Sequence, residues 1–136
     1  MDRLFLDANI LFSAAYRAGA GLHDLWKLKN VTLCSSHYAL EEARINLSTD
    51  VQKERLTRLA TVLEFSDAAL QELPPEISLL EKDVPIMLAA IEARATHLLT
   101  GDLRHFGPYF GKKISGVLIV SPGDYLKNRS QKPKTK

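Results

Sequence analysis

Four carboxylates stand where divalent-metal chemistry would need them: Asp7, Glu42, Asp83 and Asp102. Asp7 directly follows Leu4-Phe5-Leu6 and precedes Ala8-Asn9-Ile10-Leu11. An ionised acid between two apolar stretches is costly unless it is paired, hydrogen-bonded or bound to a cation. Asp102 follows His97-Leu98-Leu99-Thr100-Gly101 in the same manner, although Gly-Asp after a strand is also ordinary turn chemistry. Asp83 precedes Val84-Pro85 and an apolar helix, which reads as an N-cap acid with proline in the first turn. Capping and metal binding do not exclude each other. Between Glu41 and Glu42, helical phase chooses: the apolar stripe is Leu40, Ala43 and Leu47, Glu41 points away from it, and Glu42 lies on its flank. Oxygen ligands of this kind suit Mg²⁺ or Mn²⁺, one ion or two, and phosphodiester chemistry is the natural use of such a site.

The elements that must position these acids are short unalternating apolar runs, suited to strands buried on both faces. They are Leu4 to Leu6, Val31 to Cys34, His97 to Thr100 and Val117 to Val120. Helical spacing marks Gly21 to Leu28, His37 to Leu47, Val51 to Leu63 and Val84 to Ala95, with a short helix over Asp67 to Leu73. Ser35-Ser36 and Ser48-Thr49-Asp50 supply caps. Strands alternating with helices predict an α/β domain with a mainly parallel sheet, whose strand ends carry the functional groups to one edge.

At 136 residues and 46% hydrophobic, the chain fits one domain. The net charge of +2 hides an asymmetry, because Lys127 to Lys136 hold five Lys/Arg and no acid, leaving 13 basic against 16 acidic residues. We expect a domain over 1–126 and a disordered basic tail over 127–136 that attracts phosphates or stays solvated. Arg44, Lys53, Arg55 and Arg58 are candidate contacts to a nucleic-acid backbone, with a solvated charged face as the plainer explanation. A single cysteine, no signal-peptide layout and no long apolar stretch predict a reducing, cytoplasmic setting without a membrane. The histidines show no HxxxH pair, and no CxxC, GxSxG, GxxxxGK[ST] or GxGxxG occurs, which removes zinc-finger, serine-hydrolase, P-loop and dinucleotide readings. DANIL lacks the second acid of an aspartyl-phosphate phosphatase.

The segments LFLDANILFSA, SSHYALEEARINL, KDVPIMLAAIEARATHLLTGDLRHF and VLIVSPGDYL together resemble the PIN-domain nucleases, from about Leu4 to Leu126. The third segment is the most specific. The resemblance implies a three-layer α/β/α fold and an acidic pocket holding Mg²⁺ or Mn²⁺ that cuts RNA. It implies Asp7, Glu42, Asp83 and Asp102 as catalytic and metal-binding residues, with Asn9 and Thr100 as polar support. Chains of this length also resemble VapC-like toxins, which are held inactive by a small antitoxin and often form homodimers. The rival expectations are an RNA-processing nuclease that is not a toxin, and a PIN-fold module that binds RNA or protein without chemistry.

Overall fold

The computed structural model describes residues 1–68 and 72–131. Strands β1 (Asp2–Leu6), β2 (Val31–Ser35), β3 (Glu64–Phe65), β4 (His97–Leu99), β5 (Lys113–Ile114) and β6 (Val117–Val120) form one sheet in the order β3-β2-β1-β4-β6-β5. All neighbours run parallel except β5 against β6. The helices are α1 (Ala8–Tyr16), α2 (His37–Asn46), α3 (Asp50–Ala60), α4 (Val84–Glu92), α5 (Leu103–Phe106) and α6 (Pro122–Gln131). From β1 the chain steps outward to β2 and β3, then returns to β4 and β6 on the other side of β1. Right-handed crossovers in these two directions place α1 to α3 on one face and α4 on the other, the expected three-layer α/β/α architecture. The reversal opens a crevice beyond the carboxyl ends of β1 and β4.

The middle of the sheet is the core. Leu4, Phe5, Leu6, Leu98, Leu99 and Ile119 have no exposed surface, which is why their runs do not alternate. On the first face α1 packs against α2 and α3. Thr49 and Gln52 form a reciprocal capping box at the start of α3, and Ser36 Oγ accepts from Ala39 N at 3.1 Å to start α2.

Several expectations are corrected. Helix α1 was not anticipated, because its residues are apolar on nearly every side and mask the pattern of Ala8, Leu11 and Ala15. Gly21–Lys27 is a 3-10 segment. Ala20 offers it no side-chain cap, and the stretch is too short to sustain an α-helix by itself. Helix α4 ends at Glu92 because Arg94 takes φ 54°, a left-handed conformation that stops it before Ala95. Ser115 (φ 50°) and Gly116 (φ 86°) make a two-residue hairpin turn between β5, which was not anticipated, and β6, which matches the expected Val117 to Val120 run. No helix covers Asp67, Ala68, Glu72 or Leu73, and the middle of that expected element, 69–71, lies outside the described residues. The boundary at 126 is crossed by α6, whose Arg129 donates to Lys29 O at 2.7 Å and to Tyr125 Oη at 3.2 Å. The first half of the basic tail is therefore attached to the body, while 132–136 lie outside the described residues.

Leu99 is fully buried in β4, between β1 and β6. Leu99→Ala is expected to cost about 2–5 kcal/mol in urea denaturation, and the same truncation at exposed Val51 less than about 0.5 kcal/mol.

Candidate metal centre

All four acids line one cleft of about 710 Å³ at the carboxyl edge of the sheet, together with Asn9, Ser13, Asn46 and Lys82. Asp7 enters it from the end of β1, where it also begins α1. Its Oδ1 accepts from Ala8 N at 2.6 Å, and its Oδ2 accepts from Thr100 Oγ1 at 2.8 Å and Asn9 Nδ2 at 3.1 Å. Thr100, wholly buried after β4, also accepts from Asp102 N at 3.1 Å, and Asn9 Oδ1 accepts from Gly101 N at 2.9 Å. Thus Asn9 and Thr100 fasten the end of β1 to the loop after β4 and fix the direction of Asp7.

Burial pushes the Asp7 carboxyl up to about 6; hydrogen bonds from Thr100 and Ala8 oppose the rise, and the charges of Asp83 and Glu42 add to it. Glu42 is half-buried on α2, with Ala39 and Ala43 turned into the core beside it. Glu41 instead faces solvent and holds Arg44 through two hydrogen bonds of 2.9 and 2.5 Å. Of the two glutamates, Glu42 is thus the one that lines the cleft.

Asp83 is 7% exposed, yet it does not cap α4 with its side chain as expected. It closes a short 3-10 turn, Glu81–Asp83, and turns its carboxylate into the cleft. Its Oδ2 is buried without a hydrogen bond. The group facing it is His105 Nδ1 at 3.1 Å, which lies nearer Asp102 Oδ2 at 2.7 Å. A ring nitrogen carries one hydrogen, so the bond goes to Asp102 and Asp83 keeps an orphaned lone pair. Burial raises the Asp83 pKa, with Asp102 adding to the rise and His105 and Lys82 opposing it.

Ligand atoms of Asp83, Asp102 and His105 lie within 4.8 Å of one another. Two carboxylates converging on one point, one with an unsatisfied buried oxygen, fit a cation with hard oxygen ligands. His105 was missed because a search for paired histidines does not test the spacing Asp102-x-x-His105, which brings an acid and an imidazole onto one side of α5.

The expected backbone contacts are not brought to the cleft. Arg58 pairs with Glu54 at 2.7 Å, and Arg55 Nη1 donates to Ala15 O at 2.8 Å, satisfying the end of α1. Arg44 is held by Glu41, and Lys53 does not line the cleft either. Lys82 is the one lysine or arginine among the described lining residues. Its own carbonyl accepts from Tyr38 Oη at 2.7 Å. Burial raises the Tyr38 pKa, and Glu42, Asp83 and Asp7 raise it further, so this hydroxyl stands within electrostatic reach of the acids.

No protein-family model matches the sequence, and no curated protein matches it. The fold does have solved counterparts. One is a chain in the crystal structure of VapBC2 from Rickettsia felis bound to a DNA fragment from their promoter. It aligns with a TM-score of 0.67 and 20% identity, over 88% of this chain and 98% of that one. The fold is thus PIN-like, with a mostly parallel central sheet.

A raised carboxyl pKa opposes folding once the group ionises. For Asp7 this penalty is absent below about pH 4 and grows from there to about pH 6. It reaches about 3 kcal/mol at pH 7 before relaxation of the site. Without divalent ions, Asp7→Asn should raise the melting temperature at pH 7 and lose that advantage at pH 4, as read by thermal denaturation at both pH values.

Proposed function

We propose that the protein is a metal-dependent ribonuclease that hydrolyses RNA phosphodiester bonds, and that it is the toxin of a type II toxin-antitoxin pair. The observation that carries the nuclease reading is the orphaned, buried Asp83 Oδ2, grouped with Asp102 around His105 in a cleft also lined by Asp7 and Glu42. Such a cluster is strained by repulsion until a cation enters.

In this reading Asp83, Asp102 and Asp7 hold Mg²⁺ or Mn²⁺, and Glu42 serves a second ion or orients the attacking water. A bound ion of this type lowers the pKa of water and neutralises charge on the scissile phosphate. The protein's own part is positional. Thr100 and Asn9 hold Asp7 in one orientation, and Lys82 supplies positive charge to a phosphate at the rim of the cleft. Water adds to phosphorus in line as the 3′-oxygen departs, leaving a 5′-phosphate and a 3′-hydroxyl.

The toxin assignment is supported by the resemblance in the sequence and by the likeness to a chain of a VapBC2 complex. A small antitoxin, a homodimer and a cytoplasmic setting belong to the same proposal. Among the described residues no helix is long and apolar enough to cross a membrane.

Cleavage of 5′-labelled RNA with Mn²⁺ tests the reading. The wild type is expected to give products, and both EDTA and Asp83→Asn to abolish them, a loss of at least about a hundredfold for removing metal-based stabilisation. Equal cleavage in all three reactions rejects the proposed site. A wild type that binds RNA and never cuts it rejects the enzyme in favour of a binding module.

A further inference from the structure

Beside the cleft, at the carboxyl ends of β2 and β3, an exposed histidine is held more firmly than its surroundings require. Ser35 and Phe65 pair in register, so His37 and Asp67 stand two residues beyond matched strand ends. Asp67 Oδ2 accepts from His37 Nδ1 at 2.6 Å and Oδ1 accepts from His37 N at 2.7 Å. The imidazole stacks on Phe65, with ring centroids 4.5 Å apart and planes 14° from parallel. Two restraints at right angles therefore fix the ring. Its side chain is nonetheless 67% exposed, and among the described residues Nε2 has no hydrogen bond.

The strand that leads to His37 is the neighbour of the strand that leads to Asp7. β2 adjoins β1, so the start of α2 lies about one strand spacing, ~4.8 Å, from the row that carries Asp7. The next residue, Tyr38, reaches back over the rim to the carbonyl of Lys82, the cationic residue of the cleft. His37 and Tyr38 do not line the cleft themselves, but Tyr38 ties the start of α2 to its rim, and the His37 ring stands on the β3 side of that start, against Asp67 and Phe65. The adjacent residues of α2, Glu41 and Arg44, are closed on each other.

Nδ1 donates its hydrogen to Asp67, so in the neutral ring Nε2 keeps a lone pair. A fixed, solvent-facing acceptor beside a nuclease cleft matches a hydroxyl donor, and a phosphate oxygen offers none. We propose that His37 is a specificity-determining residue whose Nε2 accepts a hydrogen bond from the ribose 2′-hydroxyl of a nucleotide flanking the scissile bond, so that the enzyme tells RNA from DNA there. Asp67 and Phe65 are positioning residues. The 2′-hydroxyl is the group that distinguishes the two nucleic acids at a given contact. This inference rests on the ribonuclease reading and adds a subsite to it.

The test uses the full-length protein with Mn²⁺. A cleaved site is first located on a long transcript, and oligonucleotides spanning it are made all-ribo or with a single 2′-deoxy substitution at each flanking position in turn. For the wild type, kcat/KM should fall about fivefold at one flanking position, the size of one ordinary hydrogen bond. In His37→Ala, and in His37→Phe, which retains an aromatic face toward Phe65, that ratio should fall to about one while the ratios at other positions stay as they were. A merely structural role would lower every rate and leave the ratios intact. The inference is overturned if the sensitive position keeps its ratio in both variants, or if no flanking position is sensitive in the wild type. A wild type that cuts no all-ribo substrate overturns the ribonuclease reading as well, which is a distinguishable result.

Discussion

Mutual repulsion among carboxylates in a half-buried cleft is the constraint on which the rest of this structure depends. Asp7 is 5% exposed, and Asp83 and Glu42 both oppose its ionisation. Such a cluster persists only if the scaffold forces it together and partial compensation is built in. The compensation is visible: three donors on Asp7, His105 between Asp83 and Asp102, and Lys82 at the rim. It is also incomplete, because His105 has one Nδ1 hydrogen for two acids. What remains unsatisfied is the oxygen of Asp83, the atom a cation would meet.

The scaffold supplies the force through topology. Reversing the strand order at β1 brings the ends of β1 and β4 side by side, and their parallel direction sends Asp7 and Asp102 to the same edge. Helices then deliver the other two acids from opposite faces, Glu42 within α2 and Asp83 just before α4, where these two helices meet. The Asn9–Thr100–Asp7 network crosses the reversal point, so polar bonds that orient the site also join the two halves of the sheet.

The parts of this arrangement legible in the sequence are those governed by burial. Strands covered on both faces leave continuous apolar runs, and an acid at the end of such a run is conspicuous, which made Asp7 and Asp102 readable. Helical phase sufficed for Glu42, since only one face of α2 meets the core. Features governed by side-chain partners were harder to see. Asp83 has the sequence of a cap and does not cap, because the turn before α4 rotates its carboxylate into the cleft. Arg44, Arg55 and Arg58 looked available to a polyanion, but acids one turn away neutralise two and a helix end takes the third. Of the missed elements, the hairpin at Ser115-Gly116 did carry a turn signal, whereas β3 has only two residues and left none. His105 and His37 became informative only when the fold showed which acid each one meets.

The central claim is that Asp83 and Asp102 share a cation. Isothermal titration of Mn²⁺ into the apo protein, without nucleic acid, tests it most directly, with Asp83→Asn and Asp102→Asn titrated alongside and their folding verified by circular dichroism. The account predicts saturable binding of one or two ions by the wild type and a loss of at least about tenfold in affinity in each variant, since each removes an anionic ligand. Folded variants that bind Mn²⁺ as tightly as the wild type would contradict it.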